Sequence, residues 1–220
     1  MRSITRVISY GLALLALGAP GALAQEGGNL VLDDFDASSN DELGGPRVLA
    51  LDVLANPFSQ LTRFDVLPEF SLDGGTGALV FHAGIAVEQT ASITWDNNGA
   101  GLGLDLSEFA GLELDILQAD QDFGMSIRAL DAAGKAATWQ GTVDAASSPT
   151  TRVIAFSRFG STGAFDAANV DSFVMTFNTG PSVVSSLDFV LGEVRTSLVP
   201  APASIGVLAL SGLFASRRRR

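Results

Sequence analysis

Leu112-Glu113-Leu114-Asp115-Ile116 alternates apolar and acidic side chains over five residues, and that period of two decides the fold. In an extended strand successive side chains point to opposite faces, so the leucines and the isoleucine share one face and the carboxylates take the other. The same alternation recurs on either side. Met125, Ile127 and Ala129 oppose Ser126 and Arg128, Phe173, Met175 and Phe177 form a second inward row, and Phe64 with Val66 forms a shorter one. Such runs predict strands over residues 29–35, 47–54, 61–66, 78–82, 91–96, 112–117, 124–130, 136–143, 151–156, 172–178 and 187–194. Turn formers separate them: Asp73-Gly74-Gly75, Asp96-Asn97-Asn98-Gly99 and Asp131-Ala132-Ala133-Gly134 all supply residues that tolerate positive φ. Residues 105–109 and 165–171 could each cap one short helical turn, too little to alter the class. Short strands at near-regular spacing predict an all-β sandwich or barrel, not parallel βαβ units.

Composition limits the chemistry. With 220 residues, 47% of them hydrophobic, the chain has enough material for one ordinary domain with a real core. Its 24 Asp+Glu against 13 Lys+Arg give a formal net charge of −11, which repels phosphate and removes nucleic acid from the expected partners. With no cysteine, disulfides, thiolate metal sites and cysteine nucleophiles are excluded. A single histidine, His82, rules out multi-histidine metal centres and leaves any Ser/His pair resting on that residue.

The two ends differ from the middle. Residues 1–24 run from a basic start through an apolar stretch to Ala22-Leu23-Ala24, the pattern of a secretory signal peptide cleaved before Gln25. About 11 apolar residues at ~1.5 Å rise are too few to span a ~30 Å hydrocarbon core. At the other end Val199-Pro200-Ala201-Pro202 precedes an uncharged apolar run and then Arg217-Arg218-Arg219-Arg220. This tail resembles the PEP-CTERM sorting signal, with Ala201 where that family carries its name-giving Glu. The resemblance implies a short transmembrane helix and an exosortase-type membrane sortase as partner. The positive-inside rule keeps the arginines cytoplasmic and turns the proline junction to the export side. The expected organisation is thus a signal peptide (1–24), an exported domain (25–198) and a sorting or anchor segment (199–220). Transient membrane anchoring would be followed by release to the cell surface or medium.

Within residues 25–198 all 24 carboxylates face only seven cations. The segments Leu30-Val31-Leu32-Asp33-Asp34-Phe35-Asp36, 112–116, 170–177 and 187–194 resemble the jelly-roll sandwiches of the galactose-binding-like type, a fold shared by many carbohydrate-binding modules. In such modules the first and last strands commonly lie close together. That would gather Asp33, Asp34 and Asp36 with Asp188 and Glu193 around a structural calcium ion, which takes six to eight hard oxygen ligands. The competing expectation is that Asp33 and Asp34 mark a solvent-facing strand end. The loop 96–101 opens like an EF-hand but has Ala100 and Ser107 where ligands are needed, so it reads as a turn.

A glycan site needs an aromatic platform with polar groups beside it. Trp139, flanked by Thr138 and Gln140, is the candidate platform, with core packing as its competing role; His82 and Arg128 are the candidate hydrogen-bonding partners. Trp95, two residues from Ile93, reads as core. Catalysis finds no motif: Gly160-Ser161-Thr162-Gly163 lacks the spacing of a nucleophile elbow, and Gly99-Ala100-Gly101-Leu102-Gly103 lacks the last glycine of a dinucleotide fingerprint. The expectation is a non-enzymatic, exported surface or extracellular-matrix protein that contacts exopolysaccharide, or else a structural or adhesive protein with no glycan site.

Overall fold

A computed structural model describes residues 29–36, 46–68, 77–180 and 183–198. The segments expected to be a signal peptide and a sorting tail, with Val199, Pro200, Ala201, Pro202 and Arg217 to Arg220, and the expected Asp73 turn lie outside the described residues.

Among the described residues twelve strands are divided between two antiparallel sheets: β1 (Val31–Asp33), β2 (Arg47–Ala55), β3 (Thr62–Leu67), β4 (Ala78–Ala83), β5 (Glu88–Trp95), β6 (Phe109–Ala119), β7 (Phe123–Asp131), β8 (Ala136–Val143), β9 (Thr150–Ala155), β10 (Gly160–Ser161), β11 (Val170–Phe177) and β12 (Asp188–Leu198). The first sheet runs β3-β4-β12-β6-β9, with β1 also on β12, and the second runs β10-β8-β7-β11-β5-β2. The chain passes back and forth between the layers, as in a jelly-roll sandwich. Eleven of the strands coincide with the runs of period two. The twelfth, β10, is two residues long and carries no periodic signal.

The alternation sets the core. Leu112, Leu114 and Ile116 of β6 point inward against Met125, Ile127, Phe173, Met175 and Phe177 of the second sheet, all buried. Phe189 on β12 is the hub of an aromatic cluster, its ring 5.0 Å from Phe81, 4.8 Å from Phe123 and 5.0 Å from Phe177. Phe64 extends it, 6.1 Å from Phe81.

The two segments expected to make helical turns make non-helical ones. Asp105 accepts a hydrogen bond from the backbone N–H of Ser107 (2.9 Å), and Asp166 accepts one from that of Ala168 (3.1 Å). These side-chain bonds offer the backbone an alternative to continuing as helix. Among the described residues the one helical turn, a 3-10 turn at Phe156–Arg158, lies in the passage from β9 to β10.

Both ends of the described domain meet on β12. Leu30 N–H donates to Thr196 Oγ1 (2.7 Å), and Thr196 N–H donates to the Leu30 carbonyl (2.8 Å). The chain turns sharply after β1, with Phe35 at φ 58°. A Cβ on Gly77 would stand 1.6 Å from the Phe35 carbonyl oxygen, so only glycine permits that approach.

Candidate functional site

The carboxylates expected to share calcium are not brought together. Asp33 is fully buried, and its Oδ2 accepts from Trp95 Nε1 (2.7 Å) while its Oδ1 accepts from Phe35 N–H (2.9 Å) and lies 3.0 Å from Arg47 Nη1. Arg47 also lies over the Phe35 ring, 5.4 Å from its centroid. Asp34 turns outward to accept from the Asp36 N–H (3.0 Å). Asp188 pairs with His82, Nδ1 to Oδ1 2.8 Å, and also accepts from Ala83 N–H (3.1 Å). Five residue steps along β12, about 16 Å of extended chain, separate Asp188 from Glu193. Glu193 instead joins Glu113 and Asp115 around the Arg195 guanidinium, at 3.1, 2.8 and 2.6 Å. Burial alone would lower the Arg195 pKa, but its hydrogen bonds to Asp115, Glu193 and Glu113 outweigh burial and raise it. Among the described residues no three His, Asp or Glu side chains are grouped to hold a metal ion.

The three side chains expected to contact glycan are divided among three places. Trp139 points inward from β8, opposite Ile127, and is 7% exposed; its indole packs over Gly141. That makes it core and not an exposed platform, because parity along β8 turns Ala137, Trp139 and Val143 to the same side. Trp95 is likewise core. His82 is on the outer face of the first sheet, half-buried beside Arg63. Arg128 is on the outer face of the second sheet, exposed, and among the described residues it makes no ion pair.

Around Arg128 the strand register builds two adjoining rows. One runs Gln140, Ser126, Thr176, Ser92, Ala50 and the other Thr138, Arg128, Val174, Thr94, Val48, across β8, β7, β11, β5 and β2. Five strands at ~4.8 Å spacing make each row about 19 Å long. Neither row holds a carboxylate, although the chain has 24 acidic residues. Hydroxyl, carboxamide and guanidinium groups thus share one shallow face with two valines between them. These are hydrogen-bonding groups without net negative charge, suited to hydroxyl-rich or carboxylated ligands. The sequence marks the residues around Arg128 only as polar alternates to a core row. Their assembly depends on pairing between residues up to 84 positions apart, Thr176 with Ser92, which period two does not specify.

A separate cavity of about 320 Å³ opens beside the passage from β9 to β10, walled by Phe109, Phe156, Phe159 and Phe165 over Ala129 and Ala137. Ser107 and Ser161 are the polar side chains of its lining.

No protein-family model matches the chain, and no curated protein does. Among solved structures it is similar to the family 11 carbohydrate-binding module of the cellulosomal cellulase Lic26A-Cel5E of Clostridium thermocellum, at 15% identity and a TM-score of 0.48, covering 78% of this chain and 95% of that one. The solution structure of CtCBM11 matches at 18% identity and a TM-score of 0.49, over 82% of this chain and 99% of that one. An exo-β-agarase matches at 10% identity and a TM-score of 0.46, over 68% of this chain and 24% of the enzyme. Likeness at this level assigns no ligand, so the functional reading rests on the residues of this chain.

Proposed function

We propose that the chain is a non-catalytic, exported protein of the cell surface or extracellular matrix that binds polysaccharide on the outer face of its second sheet. The observation that carries the reading is the pair of carboxylate-free rows centred on the unpaired Arg128. A flat hydroxyl-rich strip about 19 Å long offers repeated hydrogen bonds to an extended glycan, and the Arg128 fork offers a bidentate partner for a uronate carboxylate or two hydroxyls. Export through residues 1–24 and sorting through residues 199–220 by an exosortase-type enzyme complete the proposal, with the tail holding the protein in the membrane before processing.

The test is binding of the purified chain to a panel of acidic and neutral exopolysaccharides, with calcium and then with chelator. Saturable binding is expected. Arg128→Ala should weaken it by about 10-fold to 100-fold, the cost of hydrogen bonds to a charged donor, while His82→Ala on the opposite face leaves it unchanged. The reverse pattern would move the site to the first sheet. Loss of binding on chelation would make calcium part of the site. A folded chain that binds nothing on the panel overturns the reading and leaves the structural or adhesive one, which the apolar edge of β2 favours.

A further inference from the structure

The second sheet ends on β2, and among the described residues no strand pairs with its outer edge. Sheets protect an edge by keeping it short or by charging it. The other path ends follow that rule: β10 has two residues, β3 carries Arg63 and Asp65, and β9 carries Arg152 ion-paired with Asp144. β2 does neither. It is nine residues long, and Val48, Leu51, Val53 and Leu54 are 50%, 36%, 42% and 52% exposed. Its charges are Asp52 and Arg47, and the Arg47 side chain is buried against Asp33. A long apolar edge of this kind is a template for pairing with another strand.

We propose that the partner strand is β2 of a second copy of this chain, paired antiparallel about a two-fold axis at Leu51. The sequence of β2 is self-complementary in that register. Leu51 faces Leu51 of the second copy, Leu49 faces Val53, Val48 faces Leu54, and Ala50 faces Asp52. A parallel in-register pairing would set Asp52 directly against Asp52, and so would an antiparallel pairing centred one residue later; like charges directly opposite destabilise a ladder. Charge also selects the surface. A chain of net charge −11 repels its own copies, and β2 offers contact where one exposed carboxylate per copy sits opposite an alanine. The pairing is isologous and uses up the β2 edge of both copies, so it closes at a dimer. It joins two six-stranded sheets into one and aligns the Arg128 faces of both copies on the same continuous sheet.

Sedimentation velocity on the full chain in non-ionic detergent should find a dimer in the micromolar range. Leu51→Lys and Leu51→Glu should each sediment as monomers, and mixing the two should restore a dimer, because the register sets residue 51 against itself. The native sequence has no cysteine, so Leu51→Cys under mild oxidation should give a disulfide-linked dimer, whereas Leu54→Cys, set against Val48, should not. The Cys variants decide the matter should the charged ones fail to fold. A native chain that stays monomeric overturns the proposal, as does a dimer indifferent to Leu51→Lys, which would place the contact in another surface or in the tail.

Discussion

Asp33 shows how a single residue can change role between sequence and structure. Read along the chain it is one of three closely spaced carboxylates at a strand end. In the fold it is a buried anion held by a cation 14 positions away and by an indole 62 positions away. Removing one partner of such a pair strands the other in a low-dielectric interior, at a cost of about 3–5 kcal/mol. Asp33→Ala should therefore lower the melting temperature sharply, and Arg47→Met together with Asp33→Leu should recover part of the loss; calorimetry on the two variants checks this. Asp131 makes a second, milder prediction. Its carboxylate accepts from Ala133, Lys135 and Asp166 N–H groups at 2.9, 2.8 and 3.0 Å. The bond from Asp166 lowers its pKa most, burial opposes that, and the Lys135 and Ala133 bonds with the Lys135 charge add to the lowering. A depressed folded pKa contributes stability above the unfolded value of roughly 4 and loses it as pH falls through the folded value. Acid unfolding of the native chain should steepen between that unfolded value and the lower folded one, and Asp131→Asn should remove that part of the pH dependence. Sequence reading recognised residues 131–134 as a turn, but the Asp166 contact that fixes it to the loop before β11 is tertiary and leaves no local trace.

At the scale of elements the alternation was legible because both sheets bury one face only. Leu112-Glu113-Leu114-Asp115-Ile116 could not be read as anything but a half-buried strand. Strand order was not legible in the same way: β12 lies between β4 and β6, and β11 between β5 and β7, through contacts set by the whole core. The aromatic hub on β12 is the consequence with most energy in it. Phe189→Ala should cost about 3–5 kcal/mol, the range for a large buried side chain whose cavity collapses only partly, read as a shift in denaturation midpoint at constant slope. The phenylalanine-lined cavity predicts the opposite sign. Ala137 lies at its floor, so Ala137→Val should add about 0.5–2 kcal/mol by filling space, provided the strand retains its pairing to β7. A fall in stability would show that β8 has no room there.

For the whole molecule, the sandwich separates functions that the sequence places side by side. His82 and Arg128 face opposite solvents, with Trp139 in the layer between them, so a single ligand cannot engage all three. The sorting reading makes its own prediction: deleting residues 199–220 should send the chain to the medium without membrane retention, and unchanged fractionation would remove that reading. Residue 198 is also the point at which any such tail joins the fold. It ends β12, which is bonded to β6 on one side and to β4 and β1 on the other. A pull on that residue therefore enters through an interior strand. Tension along β12 has to shear two ladders at once, with many hydrogen bonds loaded in parallel, whereas a peripheral strand would peel away one bond at a time. A domain hung from its C-terminus in flowing liquid would in this way resist drag far better than the same sandwich suspended by β2.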